Sequence, residues 1–578
     1  MALDLVIRGG LIVDGTGVEP FQGDLGIRDG RVAAVGKVRE GAARVLDAAG
    51  LAIAPGFWDV HTHYDAQLLW DPIATSSSWH GVTTLVMGNC GFTLAPCRPD
   101  DQGWLLRTLA RVEAMNHDVV SRTMPWPWES YSQYLDTLEP RLGVNVMTLA
   151  GHTTIRRYVM GPEASERAAT EAEVERMKQE LRRCLEAGAI GLSTSRVGTH
   201  VDGESRPVPS RVAALAEVYE LASVLREFGR GYAQLAVGSD FNKYSPEGRK
   251  RLEELARASG RPVCINSIAQ TTTDRDGWTR ILEWMAAQER EGRKIVALGN
   301  VVPGRREFNL KYTDFFDRYP VWQKLAMMPF EEKVATLRDP EARRRLRADI
   351  EECQDSFFKA NPLTWNLVYL GRARTAENRR FEGKSVAEIA AALGKHPVDA
   401  VIDISLAEGL ETQFFQSGNR NPEESALLAI LRAPHVVPEQ SDAGAHVITE
   451  VNTGFPTYLL GHFVRERQAM TLQEAVWRLT GLPAAEWGVP SRGALKEGMA
   501  ADVVVFDPAT VGAADPEFAY DLPGGAPRLI QRAAGIAYTL VNGQVTLEQG
   551  RYTGAQAGRV LRAGEAASRA KAPASAVR

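Results

Sequence analysis

What this chain lacks narrows the possibilities first. Its five cysteines, at positions 90, 97, 184, 264 and 353, are odd in number and include no CxxC pair. That pattern argues against a disulfide framework and fits a reducing compartment, so a cytoplasmic location is expected. No window approaches the roughly 18 consecutive apolar residues of a membrane span. The opening Met-Ala-Leu-Asp-Leu-Val-Ile-Arg-Gly-Gly carries an acid at position 4 and no long apolar core, which is not the pattern of a signal peptide. Neither sign of charge is in excess: a net −5 over 578 residues leaves no electrostatic footprint for nucleic acid or an anionic membrane. A glycine-rich phosphate fingerprint after the first strand is also missing, which disfavours a nucleotide-binding sheet.

What is present is an ordinary globular composition, 44% hydrophobic and 24% charged, in a chain longer than one usual domain. Both ends are rich in short strand-like runs broken by turns. Asp29-Gly30 near the start and Asn542-Gly543 near the end are hairpin signals. Residues 1–55 and 485–555 are expected to pair into one composite β-domain; two unrelated β caps are the alternative. Between them, apolar runs around Leu85, Val146, Leu192, Ala233, Ile265 and Val296 alternate with amphipathic stretches, as where Val174, Met177, Leu181 and Leu185 recur at helical spacing. Such alternation argues for an α/β protein with a parallel sheet, open or closed into a barrel, over residues 56–484. A charged, helix-prone stretch at about 305–400, with Phe315, Phe316, Tyr319 and Trp322, reads as an insertion at the mouth. Residues 556–578 read as a flexible tail.

Two histidines at i and i+2, His61 and His63, follow an apolar run. On an extended chain they share a face, and neutral imidazole is the commonest protein ligand for a divalent transition metal. Cys90, in Gly88-Asn89-Cys90-Gly91 one strand later, reads either as a thiolate ligand or as a small buried hydrophobe. Asp442, in Ser441-Asp442-Ala443-Gly444, reads as a metal ligand and proton acceptor or as a turn residue. His152, Arg156 and His446 are candidates for holding substrate, with His200 a weaker one. His80, His117, His396, His435 and His462 have ordinary structural readings.

Together these motifs resemble the amidohydrolase superfamily, in particular its N-acyl-D-amino-acid deacylase (D-aminoacylase-like) branch. The carriers are Ala54-Pro55-Gly56-Phe57-Trp58-Asp59-Val60-His61-Thr62-His63, His80-Gly81-Val82-Thr83-Thr84, Gly88-Asn89-Cys90-Gly91, Gly151-His152, Gly191-Leu192-Ser193-Thr194, Ser441-Asp442, and the closing run from Gly493 to Asp507. The resemblance implies a TIM-like (β/α)8 barrel, a composite β-sandwich from both chain ends, and hydrolysis of a C–N amide bond by metal-activated water. It implies His61, His63 and Cys90 as metal ligands, and Asp442 as ligand and catalytic acid–base. The branch supplies further histidines after its fifth and sixth strands, where this chain has Gln234 and Asn266. Amides are poor zinc ligands, so one zinc ion is expected rather than two. The expected substrate is a small N-acyl amino acid or related amide; homo-oligomerisation stays open. A catalytically inactive barrel serving in binding or assembly is the rival reading, favoured by those two amides and opposed by the retained His61, His63, Cys90 and Asp442.

Overall fold

Two strands, Ala52–Pro55 and Phe57–Asp59, meet at Gly56. A Cβ there would lie 2.2 Å from the Thr83 side chain, which reserves the join for glycine. The computed structural model describes residues 2–564 except 116, 125, 273, 314, 354–362, 419–420 and 440. Ahead of the join, a nine-stranded sheet takes Leu3–Ile12, Phe21–Arg28, Arg31–Gly36, Ala42–Asp47 and Ala52–Pro55 from the start of the chain. Val503–Phe506, Ile536–Val541, Gln544–Glu548 and Arg551–Tyr552 complete it from the end. Ala52–Pro55 runs antiparallel to Val503–Phe506, so main-chain bonds tie the two ends together. Asp29-Gly30 and Asn542-Gly543 have positive φ at both positions, as a two-residue hairpin turn requires.

Beyond Gly56 lie eight parallel strands: β1 (Phe57–Asp59), β2 (Val82–Met87), β3 (Asn145–Thr148, resuming at Ala150–Gly151), β4 (Gly191–Ser195), β5 (Tyr232–Ala236), β6 (Val263–Ile268), β7 (Ile295–Asn300) and β8 (Val436–Glu439). Neighbours pair in chain order from β1 to β8. The ring closes past the strand ends, where Thr62 bridges Ala443 in parallel and His63 N–H donates to Ala443 O at 2.7 Å. The result is a TIM-like (β/α)8 barrel. Trp58, Val86, Met147, Ile190, Tyr232, Cys264, Val296 and Val437, one at each strand, fill its floor with Trp487 beneath them. Burying each such side chain is worth about 1.5–3 kcal/mol. The helix Glu171–Ala187 is set by a Thr170/Glu173 capping box and ends on Gly188 at φ 118°, with Met177, Leu181 and Leu185 on its buried face.

The inserted region has its own core, and its extent differs from the expected 305–400. Arg305–Phe308 and Val368–Arg372 both pair with Gln413–Ser417, so the unit closes only after residue 413. Phe315, Phe316, Tyr319 and Trp322 are all buried in that core with Phe308 and Phe414, which makes them packing residues rather than a wall for substrate. The expected tail also needs correction. Gly558 N–H donates to Leu142 O (2.7 Å), Leu561 N–H to Val146 O (2.8 Å) and Ala563 N–H to Gly188 O (3.0 Å), so residues 556–564 are tied along the barrel. The remainder of the tail lies outside the described residues. Among the described residues no helix is long and apolar enough to cross a membrane.

Candidate metal centre

His61 and His63 sit on extended chain just past β1. Thr62, between them, faces away: its N–H and its Oγ1 both donate to Val86 O of β2, at 3.0 and 2.9 Å. Holding Thr62 turns both imidazoles to the other side, with ring centroids 5.4 Å apart. Cys90 arrives on a tight turn after β2, at φ 55° between Gly88 at 74° and Gly91 at 82°. A left-handed cysteine costs on the order of 1 kcal/mol, so the surrounding structure must enforce it. Asn89 Nδ2 does so by donating to Thr62 O (3.2 Å) and Val86 O (3.0 Å). Asp442, at φ 49°, follows β8, and Gly444 lies so close beneath His63 that a Cβ would come within 2.6 Å of its carbonyl carbon.

These loops bring four side chains to one point. Asp442 Oδ1 lies 3.2 Å from His61 Nε2 and 3.4 Å from His63 Nε2, and Cys90 Sγ lies 3.4 Å from His61 Nε2. One ligand atom each from His61, His63 and Cys90 falls within 4.8 Å of the others. The histidines and Cys90 are buried, whereas the Asp442 side chain is 23% exposed and forms the open side. Glu113, at the end of the helix Gln102–Val112, places Oε1 3.3 Å from His63 Nδ1. His446 adjoins it, donating its N–H to Glu113 O at 2.5 Å.

The electrostatics are those of a cation site. Burial opposes charge on both imidazoles, yet Cys90 and Asp442 beside His61, and Glu113 and Asp442 beside His63, hold both well above the usual range. Burial likewise pushes the other partners up, but His61 and His63 pull the Cys90 thiol below its ordinary value and Asp442 well below the carboxylate range. Thiolate, carboxylate and two imidazoles are a donor set suited to zinc, which displaces the imidazole protons on binding. His61 Nδ1 and Glu113 Oε1, both buried, have no hydrogen-bond partner.

Gln234 and Asn266 meet on the other side of Cys90. Gln234 Oε1 accepts the Cys90 N–H at 3.0 Å, and its Nε2 donates to Asn266 Oδ1 at 2.8 Å. The two amides thus satisfy each other and the cysteine loop. Beneath the centre, Ser441 Oγ donates to Asp59 at 2.7 Å and Ser441 N–H to Glu439 at 2.9 Å, anchoring the turn that carries Asp442.

His152 and Arg156 do not join this group. The helix His152–Met160 turns them away, where His152 Nε2 (2.9 Å) and Arg156 Nε (2.8 Å) both meet Glu217 Oε1. His152 Nδ1 bonds Thr194 Oγ1 at 2.9 Å, and the remaining Arg156 nitrogens donate to Ala164 O and Arg167 O. The expectation that they hold substrate is therefore corrected: both ring nitrogens of His152 and all three nitrogens of Arg156 have partners away from the centre. His200 bonds Ser195 Oγ at 2.8 Å, and burial lowers its pKa to about 3. Glu113 escaped the sequence reading, because nothing in Arg111-Val112-Glu113 marks a helix end as facing a site.

The sequence model of the amidohydrolase family matches residues 44–547. D-aminoacylase of Alcaligenes xylosoxydans xylosoxydans is 29% identical to this chain, over 96% of it and 97% of that protein. An N-acyl-D-glutamate deacylase of Bordetella bronchiseptica, solved with zinc and a phosphonate mimic of the tetrahedral intermediate, is 27% identical. It superposes with a TM-score of 0.66, covering 97% of this chain and 100% of that one. A D-aminoacylase structure described by its binuclear metal centre, with one-metal activation and second-metal attenuation, is 25% identical with a TM-score of 0.65, again over 97% and 100%. With the family match spanning the whole barrel and most of the closing end, this chain belongs to the amidohydrolase family of metal-dependent hydrolases.

Proposed function

We propose that the protein deacylates an N-acylated amino acid, using one zinc ion held by His61, His63, Cys90 and Asp442. The observation that carries this reading is the convergence of those four side chains on one point at the open end of the barrel strands. A zinc ion bound there supplies Lewis acidity toward the substrate carbonyl and lowers the pKa of water to about 7. Asp442, the solvent-facing member, takes the proton of the attacking water and returns it to the departing amine. Glu113 faces His63 Nδ1, favouring the tautomer that presents Nε2 to the centre. His446 borders the same opening and is read as a contact to substrate. Residues 1–55 with 485–555 act as the supporting β-domain.

The count of one ion rests on Gln234 and Asn266. Imidazoles at those positions would add ligands beside Cys90; the amides hydrogen-bond each other instead. Zinc analysis joined to an amine-release assay on N-acetylated D- and L-amino acids tests the reading. The wild type should hold one equivalent of zinc, His61→Ala should lose it, and Asp442→Asn should be slower by about 10²–10⁴-fold. A Gln234→His/Asn266→His double variant should take up a second equivalent. Protein that holds no zinc, releases no amine and ignores both single substitutions would leave the inactive-barrel reading in its place.

A further inference from the structure

The amide pair beside Cys90 is oriented by its own hydrogen bonds. Tyr232 and Cys264 lie in the barrel floor, so Gln234 and Asn266, two residues further along β5 and β6, face the interior one layer higher. The Cys90 peptide N–H can only donate, so the Gln234 atom 3.0 Å from it is the carbonyl oxygen. The NH2 group of Gln234 then faces Asn266 at 2.8 Å, and the Asn266 atom it meets is Oδ1. This fixes Asn266 Nδ2 on the far side of its amide, with its N–H donors turned away from Gln234.

Asn266 Nδ2 has no hydrogen-bond acceptor among the described residues. Gln234 is 1% and Cys264 2% exposed, whereas Asn266 is half-buried, so solvent reaches its amide from the open end of the strands. Cys90 touches His61 at 3.4 Å on one side and Gln234 on the other, which puts Asn266 one side chain away from the ligand cluster. Other donors on the Cys90 turn are spent. Gly88 N–H goes to Asp65 (3.2 Å), Gly91 N–H to Ser193 Oγ (3.0 Å) and Asn89 Nδ2 to two main-chain carbonyls.

We propose that Asn266 Nδ2 donates to the carbonyl oxygen of the scissile amide, which makes Asn266 a further catalytic residue and Gln234 the residue that positions it. The proposal rests on the deacylase reading above. As water adds to the acyl carbon, the carbonyl π electrons move onto oxygen and Asp442 takes the water's proton. On collapse the C=O re-forms, the C–N bond breaks and that proton leaves on the amine. The oxygen carries its full charge only between those steps, so a fixed donor there holds the transition state more strongly than the substrate.

The test uses zinc-loaded wild type, Asn266→Leu and Asn266→Ala with the N-acetylated D- and L-amino acids. It adds the N-methylphosphonyl analogues of leucine and glutamate of either hand, in which tetrahedral phosphorus replaces the carbonyl carbon. Asn266→Leu should lower kcat by about 10²–10³-fold and leave KM within about threefold. The calorimetric Kd of the analogue should weaken by a similar factor, with zinc content and melting temperature at their wild-type values. Asn266→Ala should behave alike, and it carries the test where the leucine side chain unsettles the fold. A kcat and an analogue Kd both within about threefold of wild type, a rise in KM alone, or zinc lost from both variants would each overturn the proposal. Weaker analogue binding in the variants, without amine release from any of the three proteins, defeats the deacylase reading alone. Amine release that ignores both substitutions defeats the donor alone, and a wild type that neither releases amine nor binds an analogue defeats both.

Discussion

Two buried clusters in this barrel combine histidine with carboxylate, and their bonding differs in kind. Around Glu217, both nitrogens of His152 and all three of Arg156 have partners. Around Asp442, His61 Nδ1 has none, while both imidazoles aim at one carboxylate oxygen and the Cys90 thiol lies against His61 Nε2. A cluster whose donors are used up stabilises the chain and offers nothing to a ligand. One whose imidazoles converge on a single, partly exposed carboxylate holds protons where a cation could sit. Burial alone does not separate them, since His152, His61 and His63 are all below 5% exposure.

The largest effect expected from this contrast is at Glu217. Glu217→Ala strands a buried guanidinium and should cost about 3–5 kcal/mol of folding stability. Zinc content per folded molecule should stay at the wild-type value, because no atom of that cluster reaches the centre. Urea titration paired with metal analysis reads both quantities. A variant that keeps its stability but loses zinc would erase the distinction between the clusters.

That distinction marks where sequence reading stops. The β-rich ends and the alternation of the middle were legible, because turn chemistry and hydrophobic period are local properties. That His61, His63, Cys90 and Asp442 come together was legible too, from the i, i+2 spacing of the histidines after an apolar run and from the glycine and turn residues beside Cys90 and Asp442. His152 follows a strand and a glycine in the same way, but its orientation is decided by Glu217, a partner far along the chain. The end of the insertion was missed for a related reason: Gln413–Ser417 belongs with Arg305–Phe308 only through pairing that no local pattern announces. Gln234 and Asn266 were recognisable as departures from the branch's histidines, whereas their bonds to Cys90 and to each other needed coordinates.

A third histidine extends the contrast to pH. His80 bonds Thr457 Oγ1 at 2.7 Å and Gln531 O at 3.0 Å, and burial lowers its pKa to about 4. The unfolded imidazole takes up a proton near its ordinary 6.5, whereas the folded one resists until about pH 4. Between those values the unfolded state binds more protons, so stability falls as pH falls and the loss levels off near pH 4. From pH 7 to pH 5 the contribution is about 2 kcal/mol. His80→Gln, with no titrating group, should flatten the stability–pH curve by that amount in denaturant titrations at the two pH values. An unchanged slope would mean that the His80 imidazole takes up its proton at the same pH in the folded and unfolded protein.

The smallest effect sharpens the comparison most directly, because it touches aim rather than bonding. Thr62 contributes no ligand atom, yet its Oγ1 and N–H bonds to Val86 O keep His61 and His63 turned to one side. Thr62→Val keeps the shape and the N–H bond and deletes the hydroxyl, at a cost of about 1 kcal/mol. If aim matters, zinc should then leave faster to a chelator than from the wild type, although every ligand remains. The Glu217 cluster allows no such separation, since each of its residues both aims and bonds. Zinc release at the wild-type rate from a Thr62→Val protein destabilised by about 1 kcal/mol would show that Cys90 and Asp442 alone hold the imidazoles in place.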